Sequence, residues 1–448
     1  MKNKWSKMIS IIFPILITQV AMNLISFFDV FMSSRYGTDD LAGVSIGSSI
    51  WLPVYTGLAG ILLSVSPLVA QLSGAKNKKE VRFTVQQGIY VAIGLALIVF
   101  ILLQLISHAF LVRMDLEPAV IRIASEYLFS MSFGLFPLFI YSTIRSYIDA
   151  LGMTRVTMFI TLMSAPINVL FNYLFIFGKF GFPELGGVGA GVASAITYWL
   201  ILGISLWILR TMPTFSEYQI LNGWSKVSFG KMKEIITLGI PIGISILAEV
   251  SIFSAVTLMM GKYGTEIISA HQIAMNFTSL LYMVPLSVSM GATILVGHEV
   301  GAKRYHDAKQ YSWMGVTAAV VFSFFSIAIL LLFRGQIASL YSSDQAVVSL
   351  AIQFFVFAAL FQLSDAIQAP VQGALRGYKD VNVTFIMAII SYWIIGLPTG
   401  YLLSEYTDLG PFGYWIGLIT GLTIGAATLS GRLLRLQAKR KSNDSVQA

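Results

Sequence analysis

Asp29, Glu249 and Asp365 stand in stretches of this chain that are otherwise apolar. An ionised side chain at the centre of a bilayer costs about 2.5–3.5 kcal/mol on insertion scales. Acids kept at that cost point to ion coupling, proton relay or cation binding. Glu249 lies in Leu247-Ala248-Glu249-Val250-Ser251, with no neutralising group in its own stretch. It needs a bound cation, a proton or a residue from another helix. Asp365 shares one helical face with Gln362, Gln368 and Gln372, a face that lines a hydrated path or supplies oxygens to Na⁺. Gln19, Asn23, Ser26, Asp29 and Ser33 form a second polar stripe. It faces a bundle interior or watery cavity, or it joins helices by hydrogen bonds. Asp29 sits towards the outer end of its helix, so an interfacial position beside Arg35 is the alternative. Asn168 and Asn172, one turn apart, are either ligands or interhelical joints. His271, Met275, Ser279 and Tyr282 share a face, where His271 either relays protons or anchors its helix. Glu299 beside Lys303 and Arg304 reads as an interfacial ion pair.

The elements that position these residues follow from composition. Of 448 residues, 56% are hydrophobic and 11% charged, with a mean hydropathy of +0.78. A soluble protein carries about 25% charged residues, so the chain is an all-α polytopic membrane protein. A bilayer core of about 30 Å takes roughly 20 apolar residues per helix. Twelve spans are expected, at 8–32, 41–72, 84–111, 121–143, 156–178, 187–210, 232–260, 266–297, 312–334, 346–375, 384–404 and 411–433. The first run is too long for a signal-peptide core. Pro53, Pro67 and Pro285 lie inside two spans and are expected to kink them.

With the N-terminus inside, 23 of the 29 basic residues fall on the cytoplasmic side. These include Arg145, Arg155, Arg376, Lys379 and the tail from Arg432 to Lys441. That asymmetry follows the positive-inside rule and predicts a cell-membrane protein with both termini cytoplasmic. It also explains the +8 charge without nucleic acid as a partner. Pro14 and Pro241, Gly37 and Gly264, and Gly74 and Gly301 all stand 227 residues apart, each in matching surroundings. The chain is therefore a duplication of two six-helix lobes: an N-lobe at 1–215, a cytoplasmic linker at 216–228 and a C-lobe at 229–448 with a basic tail. Secondary transporters are built from such repeats, with the substrate path between them. The acids do not repeat: Asp29 corresponds to Val256, and Glu249 to Met22.

Cysteine is absent, which removes disulfides and thiolate chemistry. Each Gly-Lys pair, at 178, 230 and 261, is followed by Phe, Met or Tyr, so there is no phosphate loop. No segment is long enough for an ATPase domain and no paired catalytic motif appears. The chain is not expected to be an enzyme or to carry a cofactor, and transport must run on an ion gradient. Its 18 methionines and 13% aromatic residues suit flat organic cations, or simply pack against lipid.

Phe28-Asp29-Val30-Phe31-Met32, Leu41-Ala42-Gly43-Val44-Ser45 and Pro183-Glu184-Leu185-Gly186-Gly187-Val188-Gly189 carry a resemblance, as do Ala270-His271-Gln272-Ile273-Ala274-Met275-Asn276-Phe277 and Gly373-Ala374-Leu375-Arg376-Gly377-Tyr378-Lys379-Asp380. Together they resemble the NorM-like branch of the multidrug and toxic compound extrusion (MATE) family over nearly the whole chain. The resemblance implies export of cationic, often aromatic drugs and dyes by antiport against Na⁺, or H⁺ in other branches. The family's N-lobe acid falls on Asp29, its C-lobe cation-site acids on Glu249 and Asp365, and its fifth-span asparagine on Asn168. Where the family often has a tyrosine one turn before the C-lobe aspartate, this chain has Phe361. The expected site is thus Glu249 and Asp365 for Na⁺, with Asp29, Asn168, Asn172, Gln19, Asn23, Gln368 and Tyr282 for proton or substrate. A monomer in contact with membrane lipid is expected. The alternative is a lipid-linked oligosaccharide flippase of the same superfamily, which would need a wide basic cavity.

Overall fold

A computed structural model describes residues 2–113 and 117–447. Among the described residues eleven helices are long and apolar enough to cross a membrane, and the bent pair Pro118–Ser132 and Leu135–Ala150, which meet at 49°, makes a twelfth when counted as one span. In chain order the helices are α1 (Lys2–Tyr36), α2 (Thr38–Leu62), α3 (Val65–Gly74), α4 (Lys78–Val112), α5 (Pro118–Ser132), α6 (Leu135–Ala150), α7 (Thr154–Phe177), α8 (Gly187–Thr211) and the short α9 (Pro213–Ser216). They continue as α10 (Phe229–Met259), α11 (Thr265–Gly301), α12 (Tyr305–Leu332), α13 (Arg334–Tyr341), α14 (Gln345–Gly377), α15 (Val381–Ala388), α16 (Leu397–Tyr406) and α17 (Phe412–Gln447). Backbone polar groups in hydrocarbon must be satisfied within the segment, and helices do that. The fourth span therefore runs past its expected end at 143, and Arg145 lies on a helix rather than in a loop.

The chain forms two compact units. One, here the N-unit, spans Phe13–Gly243; the C-unit holds the chain up to Ile12 and from Ile244 onward. The first turns of α1 thus pack in the C-unit, and the first turns of α10 in the N-unit. The boundaries fall close to Pro14 and Pro241, the repeated pair. Both starts are fixed by ion pairs at matching positions. Lys4 pairs with Asp307 in the C-unit, and Lys231 with Glu80 at 3.2 Å in the N-unit. Each partner stands 227 residues from its counterpart. Glu299, expected as an interfacial pair, is held by Arg304 and by Lys7 at 3.7 Å.

In the N-unit the core runs from Val44 and Trp51 on α2 through Leu68, Val85, Leu128 and Phe139 to Tyr147. The residues after α8 lie along α4. Gln86 donates to the Ile220 carbonyl at 2.8 Å, Gln87 to that of Lys226 at 2.9 Å, and the Tyr90 hydroxyl to that of Ser225 at 2.9 Å. In this exposed stretch the Lys78 ammonium holds the Glu217 carboxyl below its usual range. Lys76 ends α3 with φ 57°, and Lys303 ends α11 with φ 59°. This left-handed turn is repeated although neither residue is glycine, and it lets Asn77 N–H reach the Leu72 carbonyl and Arg304 N–H that of Glu299.

In the C-unit α11 and α14 are the central pair, in contact through small residues. A Cβ on Gly373 would collide with the Ser289 backbone, while the Thr293 hydroxyl donates to the Gly373 carbonyl at 2.9 Å. Pro285 is carried within an unbroken α11, whereas its half-equivalent span breaks at Leu63–Ser64, before Pro67. The eleventh span contains a π-helical segment, Ile389–Gly396, ahead of Pro398. Widened turns of this kind re-aim side chains, and Tyr392 lies within it. We predict that Gly373→Ala lowers the thermal midpoint of purified protein, with a cost of about 1–3 kcal/mol from forcing α11 and α14 apart. An unchanged midpoint by fluorescence-detected unfolding would contradict that packing.

Candidate functional site

Each unit carries its own polar cluster. In the N-unit, Asp29 is 5% exposed, well away from the interfacial position that Arg35 suggested. Arg35 stacks instead on Phe31, 5.1 Å from the ring centre. Asn172 Nδ2 donates to Asp29 Oδ1 at 2.8 Å and the Ser194 hydroxyl to Oδ2 at 2.7 Å. Asn168 donates to that hydroxyl at 3.0 Å, and Asn172 to Asn168 Oδ1 at 3.0 Å. The sequence marked Asp29, Asn168 and Asn172 separately; the fold joins them through Ser194 on α8, a residue the sequence reading missed. Every donor in this ring is neutral, and among the described residues no cation pairs with Asp29. Burial without a paired charge leaves a proton or an external cation to balance it.

Gln19 and Asn23 belong to a different station. Gln19 Oε1 accepts from Arg145 Nη2 at 3.1 Å, and Asn23 donates to the Gln19 carbonyl at 2.9 Å. Arg145 Nη1 also touches Met22 Sδ at 3.0 Å, and Arg145 Nε lies 3.5 Å from Asp149 Oδ2. Asp149 is 4% exposed and accepts from Thr157 at 2.6 Å. It is a buried acid outside the three that the apolar runs marked. The sequence signal was there: Arg145 and Asp149 are one helical turn apart.

In the C-unit Gln372 Nε2 donates to Glu249 Oε1 at 2.7 Å. Arg376, one turn beyond Gln372 on the same helix, is 8% exposed, and its charge acts on Glu249 only from beyond ion-pair distance. Asp365 is 6% exposed, and its Oδ2 has no hydrogen-bond partner among the described residues. Glu249 and Tyr282 lie within its electrostatic range. Gln368 donates to the Tyr392 hydroxyl at 3.0 Å while its Oε1 stays unpartnered. Unpartnered carboxylate and amide oxygens inside a membrane protein are the donor set a hard cation prefers. Among the described residues no group of three or more His, Cys, Asp or Glu side chains gathers as a metal site. A cation here would be cargo held by few carboxylates and several neutral oxygens. Phe361 packs edge-on to Phe253 and Trp415, with ring centres 5.8 and 6.1 Å away.

His271 is engaged at both ring nitrogens. Its Nδ1 accepts from Trp415 Nε1 at 3.1 Å, which puts the ring proton on Nε2, 2.9 Å from the Thr257 hydroxyl. That hydroxyl donates onward to the Phe253 carbonyl at 2.9 Å, so the chain ends on backbone. We predict that His271→Ala costs about 1–3 kcal/mol by stranding the Trp415 donor, while the pH profile of transport keeps its midpoint. A displaced midpoint in dye-efflux assays would instead assign His271 to proton transfer.

Comparison with known proteins is consistent with the duplicated architecture. The MatE family model matches the chain twice, over residues 14–174 and 241–402. The two matches begin at Pro14 and Pro241, at the repeat offset of 227. A probable multidrug resistance protein NorM of Bacillus licheniformis is 54% identical over 437 residues, covering 98% of this chain and 97% of the relative. Its namesake in Bacillus subtilis is 53% identical over 445 residues, covering 99% and 98%. Among solved structures, the eukaryotic MATE transporter AtDTX14 superposes with a TM-score of 0.87 at 21% identity, covering 98% of this chain and 99% of that one. An outward-facing multidrug resistance MATE family transporter of the MOP superfamily gives 0.87 at 18% identity, covering 97% and 96%. These two likenesses establish the fold. The chain is a multi-pass membrane protein of the MatE family, whose named relatives are transporters rather than enzymes.

Proposed function

We propose that the protein exports organic cations, drugs and dyes among them, by antiport against inward Na⁺ or H⁺ through alternating access. The observation that carries this reading is Asp365, buried with one carboxylate oxygen unpartnered beside Glu249, Gln368 and Tyr282. A buried acid in that state has a use for a cation and none for lipid. Relatives above 50% identity over nearly the whole chain carry the name multidrug resistance protein NorM, which supports the substrate class. Glu249 and Asp365 hold the coupling ion, with Gln368 and Tyr282 completing the site. Asp29, with Asn168 and Asn172, binds a proton or the substrate's positive charge in the N-unit, and Gln19 and Asn23 line the substrate's course. Coupling is reciprocal: the ion lowers affinity for the organic cation, and the organic cation lowers affinity for the ion.

The protein acts as a monomer in the cytoplasmic membrane, in contact with lipid, with both termini inside. Asp365→Asn is expected to abolish ethidium efflux while expression stays normal. Efflux at the native rate in well-expressed Asp365→Asn cells would end this assignment. Proteoliposomes with Na⁺ and pH gradients imposed separately identify the ion: Na⁺-independent, pH-driven efflux selects H⁺. The cysteine-free chain also permits a direct topology test. Lys179→Cys is expected to react with an impermeant maleimide in intact cells, and Arg435→Cys only after permeabilisation. The opposite labelling would invert the orientation.

A further inference from the structure

Three glycines of α17, Gly417, Gly421 and Gly425, stand four apart and share one face. That face lies against the π-helical segment Ile389–Gly396. At the first two positions glycine answers to backbone. A Cβ on Gly417 would collide with the Gly396 carbonyl, and one on Gly421 with that of Ser391. Gly425 is different. The nearest atoms to a Cβ there belong to side chains: Gln368 Oε1 at 2.5 Å and Ser391 Oγ at 3.1 Å. Close helix packing therefore explains Gly417 and Gly421 but not Gly425. Ser391 is 0% and Gln368 3% exposed, and neither oxygen has a hydrogen-bond partner among the described residues. Gln368 Nε2 donates to the Tyr392 hydroxyl at 3.0 Å, which leaves Oε1 turned toward Gly425. A buried oxygen without a partner is costly, and here two of them flank one small space kept open by a missing side chain.

We infer that Ser391 Oγ and Gln368 Oε1 are neutral ligands of the cation that Asp365 attracts, and that Gly425 keeps the room for it. This rests on the reading of Asp365 as a coupling-ion acid. Asp365 and Gln368 lie three apart on α14, so their side chains are neighbours on one face. Asp365 Oδ2 is likewise buried and without a hydrogen-bond partner among the described residues. The set joins a carboxylate, an amide and a hydroxyl oxygen, the ligands a hard cation takes. No three acids gather among the described residues, so the charge suits a monovalent cation better than a divalent one. A proton needs a single base and no shell of neutral oxygens. The ligand set therefore favours a metal ion of the Na⁺ class as the driving cation. The π-helical turn makes the set possible. It presents two successive residues to α14, with Tyr392 at the Gln368 amide nitrogen and Ser391 beside the space that Gln368 Oε1 faces.

The test uses the full-length protein in proteoliposomes, with ethidium efflux titrated by NaCl at fixed pH and, separately, by pH at fixed NaCl. Ser391→Ala removes one ligand and adds no atoms. It is expected to raise the half-saturating Na⁺ concentration about five- to tenfold, with the pH dependence at saturating NaCl unmoved. Gly425→Ala sets a methyl group against both oxygens and is expected to raise it at least as far. In thermal unfolding of purified protein, both variants are expected to lose the stabilisation that NaCl gives the native protein. Gly417→Ala is the packing control: its unfolding midpoint is expected to fall while half-saturating Na⁺ stays within about twofold of native. Native Na⁺ dependence in either Ser391→Ala or Gly425→Ala overturns the inference, whatever the midpoint, and leaves the two oxygens a structural role only. Native-protein efflux that follows pH and ignores NaCl overturns the metal-ion assignment. Native Na⁺ dependence in Asp365→Asn removes the coupling-ion reading, and this inference with it. If Asp365→Asn abolishes efflux while Ser391→Ala is native, that reading stands and only the ligand set falls. Should Gly425→Ala fail to fold, Ser391→Ala decides by the same measurements, because it opens the space rather than filling it.

Discussion

Everything in this protein that is not lipid-facing packing answers one constraint: a charge within a membrane span must be balanced or put to use. Asp29, Asp149, Glu249 and Asp365 lie on spanning helices, and each is treated differently. Asp149 is given a guanidinium and a hydroxyl. Glu249 is given an amide and a more distant guanidinium. Asp29 is given only neutral donors. Asp365 keeps an oxygen with no hydrogen-bond partner among the described residues. The order runs from closed to open. Breaking a fully paired buried charge costs 3–5 kcal/mol, so Asp149 suits a fixed structural role. An acid with neutral partners can change its balancing ion without disturbing the frame.

The duplication supplies that frame twice and lets its occupants diverge. Backbone features repeat closely. The left-handed lysines at 76 and 303 and the ion pairs of Lys4 and Lys231 recur at one offset. So do the prolines near which the units divide. Side chains at the polar contacts do not repeat. Met22 stands where Glu249 does, and Asp149 where Arg376 does. Packing constrains helix geometry through many small contacts, so it resists change. A polar contact needs only that its two partners suit each other, so it can be rewritten in one copy.

The rigid parts of the C-unit lie close to its polar ones. His271 joins α10, α11 and α17 through Thr257 and Trp415, with both ring nitrogens engaged. Gly373 lets α14 approach α11 next to Gln372, the residue that holds Glu249. The π-helical segment carries Tyr392 to Gln368. Polar groups in hydrocarbon are dependable only when the supporting backbone is fixed, since a misplaced donor strands its acceptor.

The sequence by itself determined that the chain crosses the membrane repeatedly, that it is a duplication, and that Asp29, Glu249 and Asp365 are costly where they stand. Those conclusions depend on hydropathy, period and offset, which are properties of the chain read along its length. It also placed Asn168 and Asn172 on one helical face, because residues four apart share a face. Only the tertiary structure decided which polar residues meet. Ser194 joins Asp29 from a helix 165 residues away in sequence. Arg145 and Arg376, read as cytoplasmic loop charges, lie on helices because those helices run on past the expected ends. Gln19 and Asn23 share a stripe with Asp29, yet Gln19 accepts from Arg145 and Asn23 bonds back to the Gln19 carbonyl. The physical reason is that a charge's partner is chosen by distance in space. Among many similar apolar helices, the sequence records each face and leaves open which faces come together.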